Sequence, residues 1–218
     1  MKLYPIGLIG LEQQRIVVVG GGNVATRKVT GLLATGAVVT VISPALSPEL
    51  VRLADRQQIT VVQRAYHDGD LADTWLVIAA TNNPRVNDQV WQEAEQRGCL
   101  VNVVDDPARG NFIVPAVIHR GEITITISTG GASPALAHRL RERLESFIGP
   151  EYGDLAALLA ELRPYMQARF PDPAVRSQVA FRLVDSDLAD IIRADGLAAA
   201  RARATALLAE IEAASSPG

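Results

Sequence analysis

The chain has 218 residues, of which 48% are hydrophobic and 21% charged, a composition typical of a globular protein with one large domain or two small ones. Its formal net charge of −3 gives no global basis for nucleic-acid binding. A single cysteine, Cys99, excludes an internal disulfide, and with only three histidines a Cys/His structural zinc site is not expected. We find no apolar run long enough to cross a bilayer and no signal peptide. We therefore expect a cytoplasmic protein with neither a membrane nor a nucleic-acid partner.

The first half of the chain alternates apolar strands with helices. Apolar runs predict five buried strands, at 15–20, 38–43, 59–63, 74–81 and 99–105. Amphipathic or capped segments between them predict helices, at 23–37, 47–57 and 83–98. This alternation predicts an α/β fold with a Rossmann-like, doubly wound parallel sheet and right-handed crossovers.

The pattern changes in the second half of the chain. Residues 121–129, GEITITIST, alternate apolar and polar side chains, which predicts a strand in an antiparallel or edge position. A helix with Ser133 as N-cap follows, and from about residue 152 the chain is helical and alanine-rich. We therefore predict three parts, an NAD-binding domain at 1–113, a small β/α segment at 114–149 and a helical domain at 150–218.

The glycine turn after the first strand indicates a dinucleotide site. Gly20, Gly22 and Ala25 fit the pattern G-x-G-x-x-G/A between a strand and a helix. The first glycine allows a sharp turn, and the second allows a pyrophosphate to approach the backbone. The helix start, with Asn23 and Val24, offers free N–H groups to that anion. The alternative is a tight strand–helix turn that binds no ligand.

The acidic residue that usually holds the ribose hydroxyls is missing from the end of the second strand, where Ser43 and Pro44 stand instead. Ser43 can hydrogen-bond a ribose but would not repel a 2′-phosphate, so this stretch leaves NAD and NADP both open. Thr81 and Asn82 follow the fourth strand, at the sheet edge where cofactors lie. Their alternative role is to cap the helix that begins at Pro84.

Two acids follow the fifth strand. Asp105 and Asp106 fall at the edge of the sheet that carries the chemistry in such folds, where a carboxylate can exchange a proton beside a nicotinamide. The alternative is turn formation by Asp-Asp-Pro. Because adjacent side chains point in different directions, we expect only one of the two to face the cleft.

A hydroxyl-rich segment precedes the helix that begins after Ser133. Ser128, Thr129, Gly130 and Ser133 form a candidate anion cradle, and Arg139 lies among the arginines that follow. Together they suit a ligand with several carboxylates. The alternative is an ordinary amphipathic helix whose arginines are solvated.

Four blocks carry a family resemblance, in this order: YPIGLIGLEQQRIVVVGGGNVATRK, GAVVTVISP, WLVIAATNNPRVN and NVVDDPARGNFIVPAVIHRGEITITISTGGASPALAHRLRERLE. They resemble the precorrin-2 dehydrogenase family, which includes bifunctional dehydrogenase/ferrochelatases and the N-terminal half of siroheme synthase. The resemblance covers roughly residues 3 to 165.

The resemblance implies an activity and an assembly. It implies oxidation of precorrin-2, a tetrapyrrole rimmed with carboxylates, by NAD⁺ to sirohydrochlorin, followed in some members by iron insertion. The family's catalytic aspartate carries over to Asp105, and Asp106 matches no fixed family position. The family implies a homodimer in which the β/α segment is exchanged or packs across the two-fold axis. We expect His119 to be structural or at an interface rather than a metal ligand.

Two rival functions are considered. A chelatase with a vestigial glycine turn is disfavoured by the intact Gly20, Gly22 and Ala25. A non-catalytic NAD-binding sensor would not need Asp105 together with the hydroxyl and arginine segment, and turnover of bound NAD⁺ discriminates between sensor and enzyme.

Overall fold

A computed structural model describes residues 3–104 and 106–215 of the chain. These residues form two compact units that divide between Val114 and Pro115. The predicted catalytic residue Asp105 lies outside the described residues. The finer division into 1–113, 114–149 and 150–218 stays a prediction.

The first unit is built on a five-stranded parallel sheet in the order β3-β2-β1-β4-β5. Its strands are β1 (Arg15–Val19), β2 (Val38–Ile42), β3 (Ile59–Val62), β4 (Leu76–Ala79) and β5 (Leu100–Val103). The order reverses direction at β1, as in a doubly wound fold, so the Rossmann-like sheet predicted from the sequence is confirmed.

Helices cover both faces of this sheet. They are α1 (Asn23–Leu33), α2 (Pro48–Asp55) and α3 (Pro84–Arg97). Val29 of α1 and Leu50 of α2 share one apolar core with Ile16 of β1. Val90 of α3 shares a second core with Val17 of the same strand. Because successive strand residues face opposite sides, β1 must be apolar throughout, which explains its continuous run.

The ends of these elements differ from the predictions by a few residues. The first helix, predicted at 23–37, ends earlier, with Ala34 as its C-cap, while Gly36 lies in the turn that follows with φ 78°. The third helix has the predicted Asn83 N-cap, whose Oδ1 accepts from the Arg85 amide at 3.0 Å, and Gly98 follows with φ 70°. The fifth strand ends two residues before its predicted end at 105.

The second unit begins with a hairpin followed by helices. Its elements are β6 (Ala116–Arg120), β7 (Ile123–Ile127), α4 (Pro134–Phe147), α5 (Glu151–Arg169), α6 (Pro173–Val184), α7 (Leu188–Asp195) and α8 (Leu197–Ser215). β6 and β7 pair antiparallel, with Ile118 opposite Ile125. The antiparallel setting of the alternating strand is thereby confirmed, whereas β6 was not predicted.

The helices of the second unit enclose a core of their own. Leu158 of α5, Leu183 of α6, Leu188 of α7 and Leu208 of α8 are all buried in it. Across residues 3–104 and 106–215, no helix is both long and apolar enough to cross a lipid bilayer.

Candidate dinucleotide-binding site

The first glycine of the turn is required by the backbone. Gly20 has φ 127°, and its amide donates to the Ile42 carbonyl of β2 at 2.9 Å. A Cβ at this position would lie 2.3 Å from the carbonyl oxygen of Ala80, which follows β4. Gly20 therefore allows β1 to turn sharply between its two neighbouring strands, as the motif predicts.

The second glycine in sequence, Gly21, is required by packing. A Cβ there would lie 1.9 Å from the Ala45 carbonyl oxygen and 2.7 Å from Ser43 Oγ. The Gly21 carbonyl accepts from the Ser47 amide at 2.7 Å, and Ser47 Oγ lies 2.8 Å from Thr26 Oγ1 of α1. The sequence analysis missed Gly21, although the run of three glycines pointed to it.

The third glycine, Gly22, faces open space. Its φ of −85° is allowed for any residue, and a Cβ added to it would meet no protein atom within 4 Å. Gly22 is the N-cap of α1, and no side chain accepts a hydrogen bond from the helix start. Side chains of Ser47 and Asn83 do cap α2 and α3.

This arrangement fits a bound pyrophosphate. The protein leaves room for a Cβ at position 22, so the backbone there is open to the approach of a ligand. The amides of Asn23 and Val24 lie in the first turn of α1, where the helix dipole favours an anion. Ala25 is fully buried and joins α1 to the sheet core.

The segment after β2, residues 43–47, is where such folds hold the ribose, and it carries no acidic side chain. We call this segment the ribose corner. Ser43 is only 6% exposed, and its hydroxyl donates to the Ala45 carbonyl at 2.7 Å. Its single proton is therefore used within the turn, and the predicted donation to a ribose would require this bond to break. Pro44 is exposed beside it.

A cavity opens at the carboxyl edge of β4 and β5. It has a volume of about 190 Å³, and the structure brings Thr81, Asn82 and Asp106 together in its wall. The remaining wall residues are Pro84, Asn87, Val103, Val104 and Arg109. Because the cavity lies at the edge where cofactors bind in such sheets, these three predicted residues share one site.

Thr81 braces the loop before α3. Its hydroxyl accepts from the Asn83 amide at 3.1 Å and lies 2.7 Å from Asn87 Oδ1. The Asn87 side-chain amide donates in return to the Thr81 carbonyl at 3.0 Å. Thr81 thus braces the loop before α3, whose cap is Asn83 and neither Thr81 nor Asn82, and it lines the cavity.

Asp106 forms a turn and an ion pair. Its Oδ1 accepts from the Ala108 amide at 3.2 Å, which is the turn formation weighed in the sequence analysis. The Arg109 guanidinium lies 3.7 Å from Asp106 and 3.5 Å from Asp88 of α3. Arg109 and Asn87 were not predicted as site residues. Arg109 could have been suggested by its position three residues after Asp106, a spacing at which opposite charges can pair.

The hydroxyl-rich segment of the second unit is hydrogen-bonded to itself. Thr129 Oγ1 accepts from the Ser133 amide at 3.0 Å, and Ser128 Oγ accepts from the Gly130 amide at 3.1 Å. Ser133 caps α4, so this helix start, unlike that of α1, already has a side-chain acceptor. Arg139 pairs with Glu142 at 2.6 Å and is 68% exposed. Their roles toward substrate stay predictions.

A buried carboxylate attaches the loop between β3 and β4 to α3. Glu93, 3% exposed, accepts hydrogen bonds from the Tyr66 hydroxyl, from Arg97 Nε at 2.6 Å and from the amides of Gly69 and Leu71. Burial alone would raise the pKa of Glu93, but these bonds outweigh it and lower the pKa below its usual range. Burial and the bond to Glu93 raise the pKa of the Tyr66 phenol.

The described part of the chain holds no group of three or more His, Cys, Asp or Glu side chains arranged for a metal ion. His119 lies on the hairpin, where its Nδ1 is 3.2 Å from Thr124 Oγ1.

The parallel sheet, the glycine turn and the uncapped start of α1 define an NAD(P)-binding domain of the Rossmann type. A family model described as Putative NAD(P)-binding matches residues 8–116. Two further models follow along the chain, Sirohaem biosynthesis protein central at 120–146 and Sirohaem synthase dimerisation region at 151–208. The chain belongs to the sirohaem-biosynthesis family that these three models describe.

Individual relatives agree with this family. Siroheme synthase 1 of Aeromonas salmonicida is 43% identical over 177 residues, 81% of this chain and 38% of the relative. Siroheme synthase of Chromobacterium violaceum is 41% identical over 202 residues, 93% of this chain and 43% of the relative. The chain thus spans less than half the length of these relatives. The solved structure of SirC, precorrin-2 dehydrogenase, matches with a TM-score of 0.77 and 28% identity, over 97% of this chain and 100% of that one.

Proposed function

We propose that this chain is an NAD-dependent precorrin-2 dehydrogenase, which forms sirohydrochlorin in sirohaem biosynthesis. The observation that carries the proposal is the unobstructed turn at Gly22, in a chain that covers all of a solved precorrin-2 dehydrogenase. The siroheme synthase relatives support the same pathway.

The cofactor's place follows from the glycine turn. Gly20 shapes the turn, and the backbone from Gly22 to Ala25 holds the pyrophosphate at the start of α1. Thr81 and Asn82 lie in the cavity at the next strand ends, which suits the nicotinamide half. When bound, NAD⁺ supplies the acceptor for the hydride that leaves the substrate.

The chemistry on the protein side is proton removal. Oxidation of precorrin-2 removes a hydride from one carbon and a proton from a second position, whose bonding electrons stay in the new double bond, and we assign that proton to the Asp105 carboxylate as general base. Asp106, one residue further on, lines the cavity at the end of β5. We assign the substrate's carboxylates to the segment containing Ser128, Thr129, Gly130 and Ser133 and to Arg139.

A cytoplasmic homodimer is part of the proposal. The dimerisation-region match over residues 151–208 supports self-association. Within the described residues β6 and β7 pair only with each other, so each keeps an open edge. Packing of this hairpin across a two-fold axis would cover those edges.

Anaerobic turnover tests the proposal directly. Enzymatically prepared precorrin-2 and NAD⁺ are mixed with the protein, and NADH and sirohydrochlorin are followed by absorbance. We expect NADH with the wild type and a loss of at least about a hundredfold with Asp105→Asn, since general-base catalysis contributes about that much. Added Fe²⁺ or Co²⁺ shows by a further spectral shift whether the chain also chelates metal. Binding of NAD⁺ without NADH formation would contradict the proposal and favour a sensor.

A further inference from the structure

The missing acid at the ribose corner leaves coenzyme preference without an obvious determinant. In Rossmann-like folds the end of the second strand selects NAD by an acid on the ribose hydroxyl, or NADP by an arginine near the 2′-phosphate. Here residues 43–47 carry no charged side chain. Arg52 of the neighbouring helix α2 is paired with Glu49.

One arginine does begin beside this corner. Arg64 follows β3, the strand next to β2, and the Ser43 amide donates to the Val62 carbonyl at 3.2 Å. The backbone of Arg64 therefore lies at the same carboxyl edge of the sheet as the ribose corner. Its amide also donates to the Val62 carbonyl, at 2.9 Å.

The guanidinium of Arg64 pairs with Asp70, and its Nη1 also donates to the Ala65 carbonyl at 2.9 Å, while the side chain stays 42% exposed. Arg64 donates from both terminal nitrogens to the two Asp70 oxygens, at 2.7 and 2.6 Å, in the fork-to-fork geometry of a strong ion pair. The His67 amide donates to Asp70 at 2.9 Å, and the Asp70 side chain is only 13% exposed. The bond to Arg64 lowers the pKa of Asp70, so this carboxylate stays charged at neutral pH.

Asp70 is itself held by Arg15. The Asp70 carbonyl accepts from Arg15 at 3.3 Å, and Arg15 also donates to the Ala72 carbonyl. Arg15 is the first residue of β1 and lies at the amino edge of the sheet, opposite the cofactor edge. Asp70 thus accepts Arg64 at its side chain and Arg15 at its backbone, so the carboxylate that pairs with Arg64 is itself held in place.

We propose that the Arg64–Asp70 pair sets the coenzyme preference of this protein by withholding Arg64 from a 2′-phosphate. NAD⁺ needs no cation at the ribose, whereas NADP⁺ meets a corner whose nearby arginine is already paired with Asp70. The inference rests on the proposed use of a nicotinamide dinucleotide at the glycine turn, and it adds the residues that discriminate between the two coenzymes.

The affinities of two adenosine fragments, which differ by a 2′-phosphate, measure the effect of that phosphate on binding without any contribution from catalysis. The affinities of 5′-AMP and 2′,5′-ADP are measured by calorimetry on the wild type, Asp70→Asn and the double variant Asp70→Asn/Arg64→Gln. In Asp70→Asn we expect the affinity for 2′,5′-ADP to rise about fivefold relative to 5′-AMP, the scale of one partly exposed ion pair. The double variant returns the ratio to the wild-type value. With precorrin-2, kcat/KM for NADP⁺ relative to NAD⁺ follows the same order.

Two further variants keep the test decisive. Glu49→Gln frees Arg52 of α2 in the same way, and a gain for 2′,5′-ADP in this variant as large as that in Asp70→Asn would overturn the assignment to Arg64. Arg64→Gln alone is also expected to leave it unchanged, because Arg64 is already withheld, and a loss of 2′,5′-ADP binding in this variant would overturn the inference. A folded Asp70→Asn variant that binds 5′-AMP but shows no gain for 2′,5′-ADP would overturn it while the cofactor assignment stands. Failure of the wild type to bind 5′-AMP and NAD⁺ would overturn both.

Discussion

Gly21 and Gly22 are adjacent and identical in the sequence, yet the structure constrains them in opposite ways. Gly21 is enclosed by the Ala45 carbonyl and the Ser43 hydroxyl, whereas the space in front of Gly22 is free of protein atoms. One glycine therefore serves the fold, and the other serves the ligand.

Alanine at each of these positions separates stability from binding. We expect Gly21→Ala to lower the free energy of unfolding by about 1–3 kcal/mol, because its Cβ would overlap backbone atoms that cannot move easily. Gly22→Ala is expected to stay within about 1 kcal/mol of the wild type and to weaken NAD⁺ binding at least about tenfold, since its methyl group occupies the pyrophosphate's place. Urea unfolding and NAD⁺ calorimetry check the pair. Unchanged NAD⁺ affinity in Gly22→Ala would contradict the cofactor site.

Glu93 makes stability depend on pH at a single residue. Hydrogen bonds from Tyr66 and Arg97, and from two backbone amides, hold its pKa below the unfolded value in spite of burial. Its contribution is therefore fully present above the unfolded pKa of about 4.3 and is lost as pH falls through the lower folded pKa.

We expect Glu93→Gln to lower the free energy of unfolding at pH 7 by about 1–3 kcal/mol, the range for breaking a hydrogen bond to a charged group. The difference in free energy of unfolding between variant and wild type, measured by urea titration, should become smaller below pH 4. Glu49→Gln, which breaks the exposed pair with Arg52, is the matched control and should change stability by less than about 1 kcal/mol. A gap that stays constant down to pH 3 would argue against the assigned pKa.

At the scale of elements, two glycines bring the hairpin and α5 into contact. Gly121, at the β6–β7 turn with φ 54°, lies against Gly153 in the first turns of α5. A Cβ at Gly153 would lie 2.8 Å from the Arg120 carbonyl carbon. Arg120 in turn donates to the Ile148 carbonyl at 2.9 Å, which ties β6 to the end of α4.

Gly153→Ala is expected to destabilise the protein by about 1–3 kcal/mol, even though alanine is the better helix former. Gly31→Ala, in α1, is the matched control, because a Cβ there meets nothing within 4 Å. It should stabilise by about 0.5–1 kcal/mol. The melting temperatures of both variants test this prediction. Equal stabilisation by Gly153→Ala and Gly31→Ala would show that the contact between the hairpin and α5 is not tight.

How far the sequence predicts these elements depends on whether their determinants are local. The starts of α3 and α4 were predicted because each has a cap followed directly by proline, at Asn83-Pro84 and Ser133-Pro134. β6 was not predicted, because Pro115 precedes it and its strand character comes from pairing with β7.

The candidate site shows the same limit. Gly20 and Gly22 belong to a contiguous motif and could be found by spacing. Arg109 enters the cavity through its position near Asp88, a residue of α3 that is distant along the chain. The spacing of residues along the chain also does not show that the Ser43 hydroxyl donates its hydrogen bond to the Ala45 carbonyl.

At the scale of the whole molecule, the chain has two units with separate cores. Val29 and Val90 are buried in the cores of the first unit, and Leu158 and Leu208 in the core of the second. The glycine turn lies entirely in the first unit. A ligand that binds only a folded site stabilises the unit that contains it.

We therefore expect two calorimetric transitions on heating, of which NAD⁺ raises only one. At a concentration of about 100 times Kd, the gain is about 2.7 kcal/mol for that unit. At the same NAD⁺ concentration the gain should fall to about 1.4 kcal/mol or less in Gly22→Ala, which provides the control. A single transition, or an equal shift of both, would contradict the assignment of the cofactor to the first unit alone.

The contact between Gly21 and the segment that follows β2 has a consequence for protein engineering. The Gly21 carbonyl receives the Ser47 amide, and Ser47 at once caps α2 and meets Thr26 of α1. The glycine turn and the segment at 43–47 are thus joined by hydrogen bonds into one part. A chimera that exchanges only the loop after β2 with that of an NADP enzyme would misfit the glycines, whereas a graft that carries residues 20–26 and 43–47 together preserves their fit.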